Sequence, residues 1–292
     1  MQNKRGFRAG FKKLIKNKMA TLALIFIIII VALVLLAPVI TNITGFDPDE
    51  SIITDRLLPG FWDWENANGH ILGTDHLGRD TLSRLLYGGR TTLIVAITST
   101  SIGLFFGVTL GVLAGYYQRL DNLIMRIMDI LFTFPGTLLA MLIVSMLGVS
   151  TFNAMLAISI WSIPSFARMV RSKVLSVKQE EYITAVKALG ANDLRIIIAH
   201  TIPNILGTII VIATMRLASS IMSIATLSFL GLGVPAPAPE WGGMIATAKD
   251  FMWDRPNLII IPGLFVMFTV ISFNLLGDKL SDLFDPTLKE NI

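Results

Sequence analysis

The chain has no cysteine, which excludes disulfides, thiolate-held metals and cysteine nucleophiles. Charge is scarce: Asp, Glu, Lys and Arg supply 15% of the 292 residues, against about 25% in an ordinary soluble domain. There is no G-x-x-x-x-G-K-[ST] phosphate loop, so the chain is not expected to bind and hydrolyse ATP by itself. A G-x-S-x-G elbow and an H-E-x-x-H pair are missing too. Of the three histidines, His70 and His76 fall in a polar loop and His200 at the edge of an apolar stretch, so no base stands at membrane depth for an intramembrane enzyme. "GHILGTDHLGRD" gathers His70, Asp75, His76 and Asp80, but their spacing fits no metal motif and Gly/Asp-rich text is turn chemistry. No metal site is expected, and the chain shows neither low-complexity tracts nor an internal repeat.

What is abundant is apolar surface: 53% of the residues are hydrophobic and the mean hydropathy is +0.70, so the expected solvent is a bilayer. Met19–Ile40 runs 22 residues without a charge, roughly 33 Å as a helix and enough to cross a hydrocarbon core. It is too long for a cleaved signal segment, whose apolar region is about 7–15 residues. Further spans are expected near Leu93–Tyr116, Ile127–Leu147, Phe152–Ala167, Ile205–Leu232 and Leu258–Gly277. Pro135, Pro164 and Pro262 fall inside them, where neighbouring helices can satisfy freed carbonyls.

Lys and Arg set the orientation. Lys4, Arg5, Arg8, Lys12, Lys13, Lys16 and Lys18 precede the first span, Arg119 and Arg126 follow the second, and Arg168, Arg171, Lys173, Lys178, Lys187 and Arg195 follow the fourth. The opposite face holds only Arg56, Arg79, Arg84, Arg90, Lys249 and Arg255. The positive-inside rule places both termini in the cytoplasm. Because the basic residues follow topology, nucleic-acid binding has no support. The first outer loop carries eight acids, from Asp47 to Asp80, and its length suggests a small external cap. In "GFRAGFKKLIKNK", Phe7, Phe11, Leu14 and Ile15 share a helical face opposite lysines, which reads as an amphipathic helix on the inner leaflet.

Two intramembrane patterns stand out. Gly103, Gly107, Gly111 and Gly115 repeat at i,i+4, a stripe that lets another helix backbone approach closely. Arg216 lies near the middle of the fifth span, where an arginine costs about 2.5–3.5 kcal/mol on insertion scales. Ser219, Ser220, Ser223 and Thr226 continue its face. The stripe either lines a water-accessible pathway or forms an interhelical hydrogen-bonding seam.

"EEYITAVKALGANDLRIIIAHTIPN", Glu180–Asn204, is by contrast charged and amphipathic. Tyr182, Ala185, Val186 and Leu189 form an i, i+3, i+4, i+7 apolar face on a short helix whose N-terminal Glu180 and Glu181 complement the helix dipole. Gly190 ends it, and Asp193, or Asn192 before it, caps a second helix leading back to the membrane. Small residues, Ala185 and Ala188, stand near the tip. The pattern fits a projecting helix–turn–helix, and a helix lying flat at the interface would show the same face.

This stretch resembles the cytoplasmic EAA-type loop of ABC importer permeases, with Gly190 and Ile202-Pro203 at the expected offsets and Thr184-Ala185-Val186 in place of E-A-A. "LGTDHLGRDTLSRLLYGGRTTL", "LSFLGLGVPAPAPEWGGMI" and "FNLLGDKLSDLFDPTL" look like the C-type permease subunit of dipeptide/oligopeptide importers, and the resemblance runs from the first span to the tail. It implies an all-α polytopic membrane protein of six transmembrane helices with a type I ABC importer permease fold and a cytoplasmic coupling helix. The expected division is residues 1–18 amphipathic helix, 19–40 first span, 41–92 external cap, 93–277 permease core with the coupling loop at 168–204, and 278–292 cytoplasmic tail.

The resemblance further implies a plasma- or inner-membrane location and a set of partners: a second homologous permease, two cytoplasmic ATPases that carry ATP and Mg, and an extracytoplasmic peptide-binding protein. The chain itself binds no cofactor, touches lipid and couples to an ATPase through Glu181, Tyr182, Ala185, Ala188, Leu189 and Gly190. Glu181 and Asp193 become the candidate anchors because Thr184 is not glutamate. Related permeases also carry nickel or metallophores. A secondary transporter would favour intramembrane carboxylates, for which Asp129 is the main candidate, and would leave the hairpin without a task.

Overall fold

The computed structural model describes residues 17–284; the amphipathic helix expected over residues 1–18 lies outside them but for its last two positions. Helix α1, Lys18–Leu35, starts where the Asn17 side chain accepts from the amides of Met19 and Ala20. The expected Met19–Ile40 crossing is not one rod. The chain breaks at Leu36 and restarts as α2, Ala37–Thr44, with Pro38 in its first turn, the position where a residue without an N–H costs a helix least. Gly45, at φ +78°, ends α2.

The external cap follows, built of short 3-10 turns at Ile53–Asp55 and Phe61–Asn66. Its polar residues bond one another and the next helix. His70 Nδ1 lies 2.8 Å from Asp80, Asp75 pairs with Arg79, and Asp80 also caps the next helix by accepting from the Ser83 amide at 2.7 Å. That helix, α3, runs Thr81–Tyr116, starting twelve residues before the expected Leu93. At 36 residues it is about 54 Å long, so its first turns stand in the cap.

The expected third span is also broken. Helix α4, Gln118–Phe132, and α5, Gly136–Leu147, meet at an angle of 87°. Pro135 cannot donate to the preceding turn, and Gly136 lets the backbone press on the Trp161 indole so closely that a Cβ would overlap the ring. Helix α6, Thr151–Lys178, by contrast runs unbroken through Pro164. A short α7, Glu181–Ala188, and α8, Asp193–Ile196, form the expected hairpin. From α8 the chain passes through a π-turn, Ile197–Thr201, into α9, Ile202–Phe229, without a gap. Helix α10, Trp241–Ala248, and the long α11, Asn257–Phe284, complete the fold.

Among the described residues four helices are long and apolar enough to cross a membrane: α1, α3, α8–α9 taken together, and α11; the bent α4–α5 pair makes up to five. Six separate spans of that kind are therefore not present among the described residues. Helix α6 has the length, but its C-terminal half carries Arg168, Arg171, Lys173 and Lys178.

The most extensive helix contact joins α3 to α6, and the glycine stripe makes it. A Cβ on Gly103 would strike Ser162, one on Gly107 Phe166, one on Gly111 would lie 2.8 Å from Val170 Cβ, and one on Gly115 2.7 Å from Val174 Cβ. Both stripes advance by four residues, so two backbones lie in contact over three turns. At the other end, the fully buried Trp241 donates Nε1 to the Leu85 carbonyl at 2.9 Å and fixes α10 against α3.

Candidate functional site

The hairpin is anchored from one side only. Ile183 is buried and Val186 partly so, packed with Val112, Tyr116, Val170, Val174, Ile196 and Ile197. Of the apolar face read from the spacing, only Val186 is partly covered: Tyr182 is 40% and Leu189 87% exposed, and Ala185 and Ala188 are exposed as well. Leu194 and Ile198 continue the uncovered surface on the second helix. Tertiary packing selected Ile183, which the i, i+3, i+4 pattern had left out. The result is a helix held by its back, presenting Tyr182, Ala185 and Leu189 outward.

Polar contacts fix its pose. Asn192, not Asp193, is the cap of α8, accepting from the Arg195 amide at 2.9 Å. Asp193 instead accepts the Tyr116 hydroxyl at 2.8 Å, and Lys178 Nζ donates to the Tyr116 carbonyl at 2.8 Å. Asn204 donates Nδ2 to the Tyr182 hydroxyl at 2.6 Å, tying α7 to the base of α9. Gly190 takes φ +86° with nothing within 4 Å of a built Cβ, so backbone conformation alone demands glycine there. Glu181 is exposed at the first turn of α7. Arg171 bonds Asp121 through two guanidinium nitrogens, joining α6 to α4 beneath the hairpin.

The polar stripe on α9 divides. Ser220 is buried and accepts from the Thr100 hydroxyl at 2.9 Å, an interhelical seam with α3. Ser219, Ser223 and Thr226 donate to carbonyls of their own helix one turn back. Arg216 donates to the Ser165 hydroxyl on α6 and lies 5.9 Å from the Trp161 ring centroid. One helical turn further along α6, Arg168 pairs with Asp129 at 2.7 Å and covers the Phe132 ring at 4.1 Å. The sequence singled out Arg216 and Asp129 but not Ser165, Trp161 or the pairing of Asp129 with Arg168; opposite charges on two adjacent spans were the available signal for that pair.

A third polar site lies at the other end. Glu240 caps α10 by accepting from the Gly243 amide at 2.9 Å, accepts the Thr92 hydroxyl at 2.9 Å, and is almost wholly buried. Burial pushes its carboxyl above the ordinary carboxylate value, against the hydrogen bonds that hold it down. It borders a cavity of about 420 Å³ that also touches Arg79, Arg84, Lys249 and the Gly231–Ala238 loop. The sequence signal, an acid three residues before Gly243 in "PEWGG", marks a helix start.

Residues 107–290 match the family described as binding-protein-dependent transport system inner membrane component, and residues 7–59 match the N-terminal TM domain of oligopeptide transport permease C. A dipeptide transport system permease protein of Alkalihalophilus pseudofirmus is 43% identical, covering 97% of this chain and 90% of that protein. A glutathione transport system permease protein of Pectobacterium atrosepticum is 41% identical, covering 97% and 92%. One chain of an inward-facing structure of the MetNI methionine ABC transporter superposes with a TM-score of 0.57 at 19% identity, over 68% of this chain and 95% of that one. The last likeness concerns the fold alone.

Proposed function

The chain belongs to the family of binding-protein-dependent transport system inner membrane components, and from that premise we propose that it is one permease subunit of an ATP-driven importer of short peptides. The observation that carries the reading is the hairpin: a rigidly backed helix offering Tyr182, Ala185 and Leu189 to a partner, in a chain without a phosphate loop. The dipeptide and glutathione permeases among its relatives support a peptide cargo. The working assembly is this chain, a second homologous permease, two cytoplasmic ATPases that hold ATP and Mg, and an extracytoplasmic peptide-binding protein. The chain contributes no catalytic residue and no cofactor of its own.

In this reading the chain crosses the membrane six times, with α4–α5 as one bent span and α6 as another. Support for α6 comes from its 28 residues and from its packing along Gly103–Gly115, which sets it at the same depth as the apolar part of α3. Both termini face the cytoplasm, as the distribution of Lys and Arg favours.

Closure of the ATPases on ATP moves α7. Because Ile183, Asp193 and Arg171 tie the hairpin region to α3, α4 and α6, displacement passes into the spans rather than dissipating in a loop. The two states are then biased by different contacts, as alternating access requires. The test is co-purification of the chain with its partners in a bilayer and measurement of ATP hydrolysis with and without dipeptide-loaded binding protein. Stimulation by loaded binding protein is expected; hydrolysis indifferent to it contradicts the reading.

A further inference from the structure

Arg216 stands at the centre of α9, fourteen residues from Ile202 and thirteen from Phe229, or about 20 Å from either end. With a hydrocarbon core about 30 Å thick, that is near the midplane, out of reach of either headgroup layer. The residue it bonds, Ser165, is equally central in α6, Thr151–Lys178. Among the described residues no carboxylate lies within ion-pair distance of Arg216; its contacts are one hydroxyl and the face of Trp161. A guanidinium has five N–H donors, so a cation at mid-membrane keeps unused donors and lacks a counter-ion.

The second observation is independent. Arg168, three residues beyond Ser165 on the same face of α6, and Asp129 form an ion pair whose side chains are 49% and 62% exposed. The pair lies one helical turn to the cytoplasmic side of Ser165, and ionisable groups within a helix bundle at this depth face its interior or a water-filled cavity rather than hydrocarbon. Arg216, Ser165, Arg168 and Asp129 therefore form a continuous polar lane across α9, α6 and α4. It is flanked by the aromatic faces of Trp161 and Phe132.

We propose that this lane is a cargo site for zwitterionic short peptides, with Arg216 taking the carboxylate terminus and Asp129 the ammonium terminus. Arg168 is a positioning residue that orients the Asp129 carboxylate, whose remaining lone pairs accept the ammonium. Ser165, which Arg216 bonds, and Arg168, which pairs with Asp129, lie three apart on one helix face with their Cβ atoms about 5–6 Å apart, so the Arg216 and Asp129 head groups occupy neighbouring positions of the lane. Both termini are common to every unmodified peptide, so a site that reads only them tolerates any side chain. The assignment deepens the peptide-import reading and rests on it.

The cysteine-free chain permits a direct test. A Ser219→Cys reporter, one helical turn from Arg216, is introduced and the complete assembly reconstituted in vesicles. Labelling rates are compared for an anionic and a cationic methanethiosulfonate of similar size. The anionic reagent is expected to react about tenfold or more faster, the scale of local enrichment by a focused charge, and Arg216→Gln is expected to abolish that preference while Arg216→Lys keeps most of it. Vanadate trapping with Ala-Ala-loaded binding protein should slow labelling in the Arg216 background. If Arg216→Gln fails to assemble, the preference and the protection in the Arg216 background decide alone. A cysteine unreactive in every state overturns the site. So does a missing anionic preference, which assigns the Arg216 counter-ion to the second permease, or labelling that Ala-Ala leaves unchanged. Loss of dipeptide-stimulated ATP hydrolysis in the unsubstituted assembly would instead sink the import reading itself, so the two failures are distinguishable.

Discussion

Tyr116 donates its hydroxyl to Asp193 across 2.8 Å while its own carbonyl accepts Lys178 Nζ at 2.8 Å. One residue thus joins the end of α3, the end of α6 and the start of α8. The contact makes the hairpin an extension of two long helices, which is what a lever needs.

Tyr116→Phe removes the hydroxyl and leaves the partly buried Asp193 carboxylate without that donor. A hydrogen bond to a charged group contributes about 1.5–3 kcal/mol, so a lower thermal midpoint of the purified protein is expected. The ratio of peptide-stimulated to basal ATP hydrolysis should fall further than stability alone explains. An unchanged ratio would show that this contact transmits nothing.

Gly190 separates backbone strain from contact. Gly190→Ala meets no atom within 4 Å but must hold φ +86°, a conformation costing an L-residue about 1–2 kcal/mol. Gly190→Pro cannot reach that φ and also loses the amide that donates to the Lys187 carbonyl at 3.0 Å. Graded loss of stimulated hydrolysis, Pro worse than Ala, is expected, with insertion of the spans preserved by protease-protection mapping.

The same hairpin shows how far the sequence was legible. Gly190 as helix terminator and a second helix behind it followed from local chemistry, and both are present. The buried face did not follow: Tyr182, Ala185 and Leu189 have helical spacing, yet Ile183 is the residue that α3 and α6 cover. Periodicity finds an apolar face but is silent on which neighbour claims it. The break at Pro135 and the unbroken run through Pro164 make a similar point, since the outcome depended on the close packing of Gly136 against Trp161. The glycine stripe was legible as a contact, while its partner α6 was not, because Ser162, Phe166, Val170 and Val174 share a spacing and no residue type.

That stripe yields a paired prediction. Gly107→Ala places a methyl group against Phe166 Cβ and the Ile163 carbonyl, and overpacking of this kind costs about 1–3 kcal/mol. Gly263→Ala in α11 meets nothing within 4 Å and gains helix propensity. Thermal scans in detergent should show a lower midpoint for the first and an unchanged or higher one for the second.

Glu240 predicts a pH dependence. Burial raises its carboxyl above the ordinary value of 4.5, so the folded state holds the proton more tightly than the unfolded chain. Stability from this group is greatest below that ordinary value and falls as pH rises through the window up to the folded value, then levels off. Glu240→Gln should flatten the stability profile in that window, measured by thermal midpoints from pH 4 upward; a slope identical to the unsubstituted protein would remove Glu240 as its source.

The central claim is that energy reaches this chain from an ATPase through the hairpin. The most direct measurement is uptake of a labelled dipeptide into vesicles holding the complete assembly, with ATP supplied on the ATPase side and binding protein on the other. The account predicts accumulation that requires both and is lost in Gly190→Pro. Uptake driven by an ion gradient without ATP, or undiminished uptake in Gly190→Pro, would contradict it.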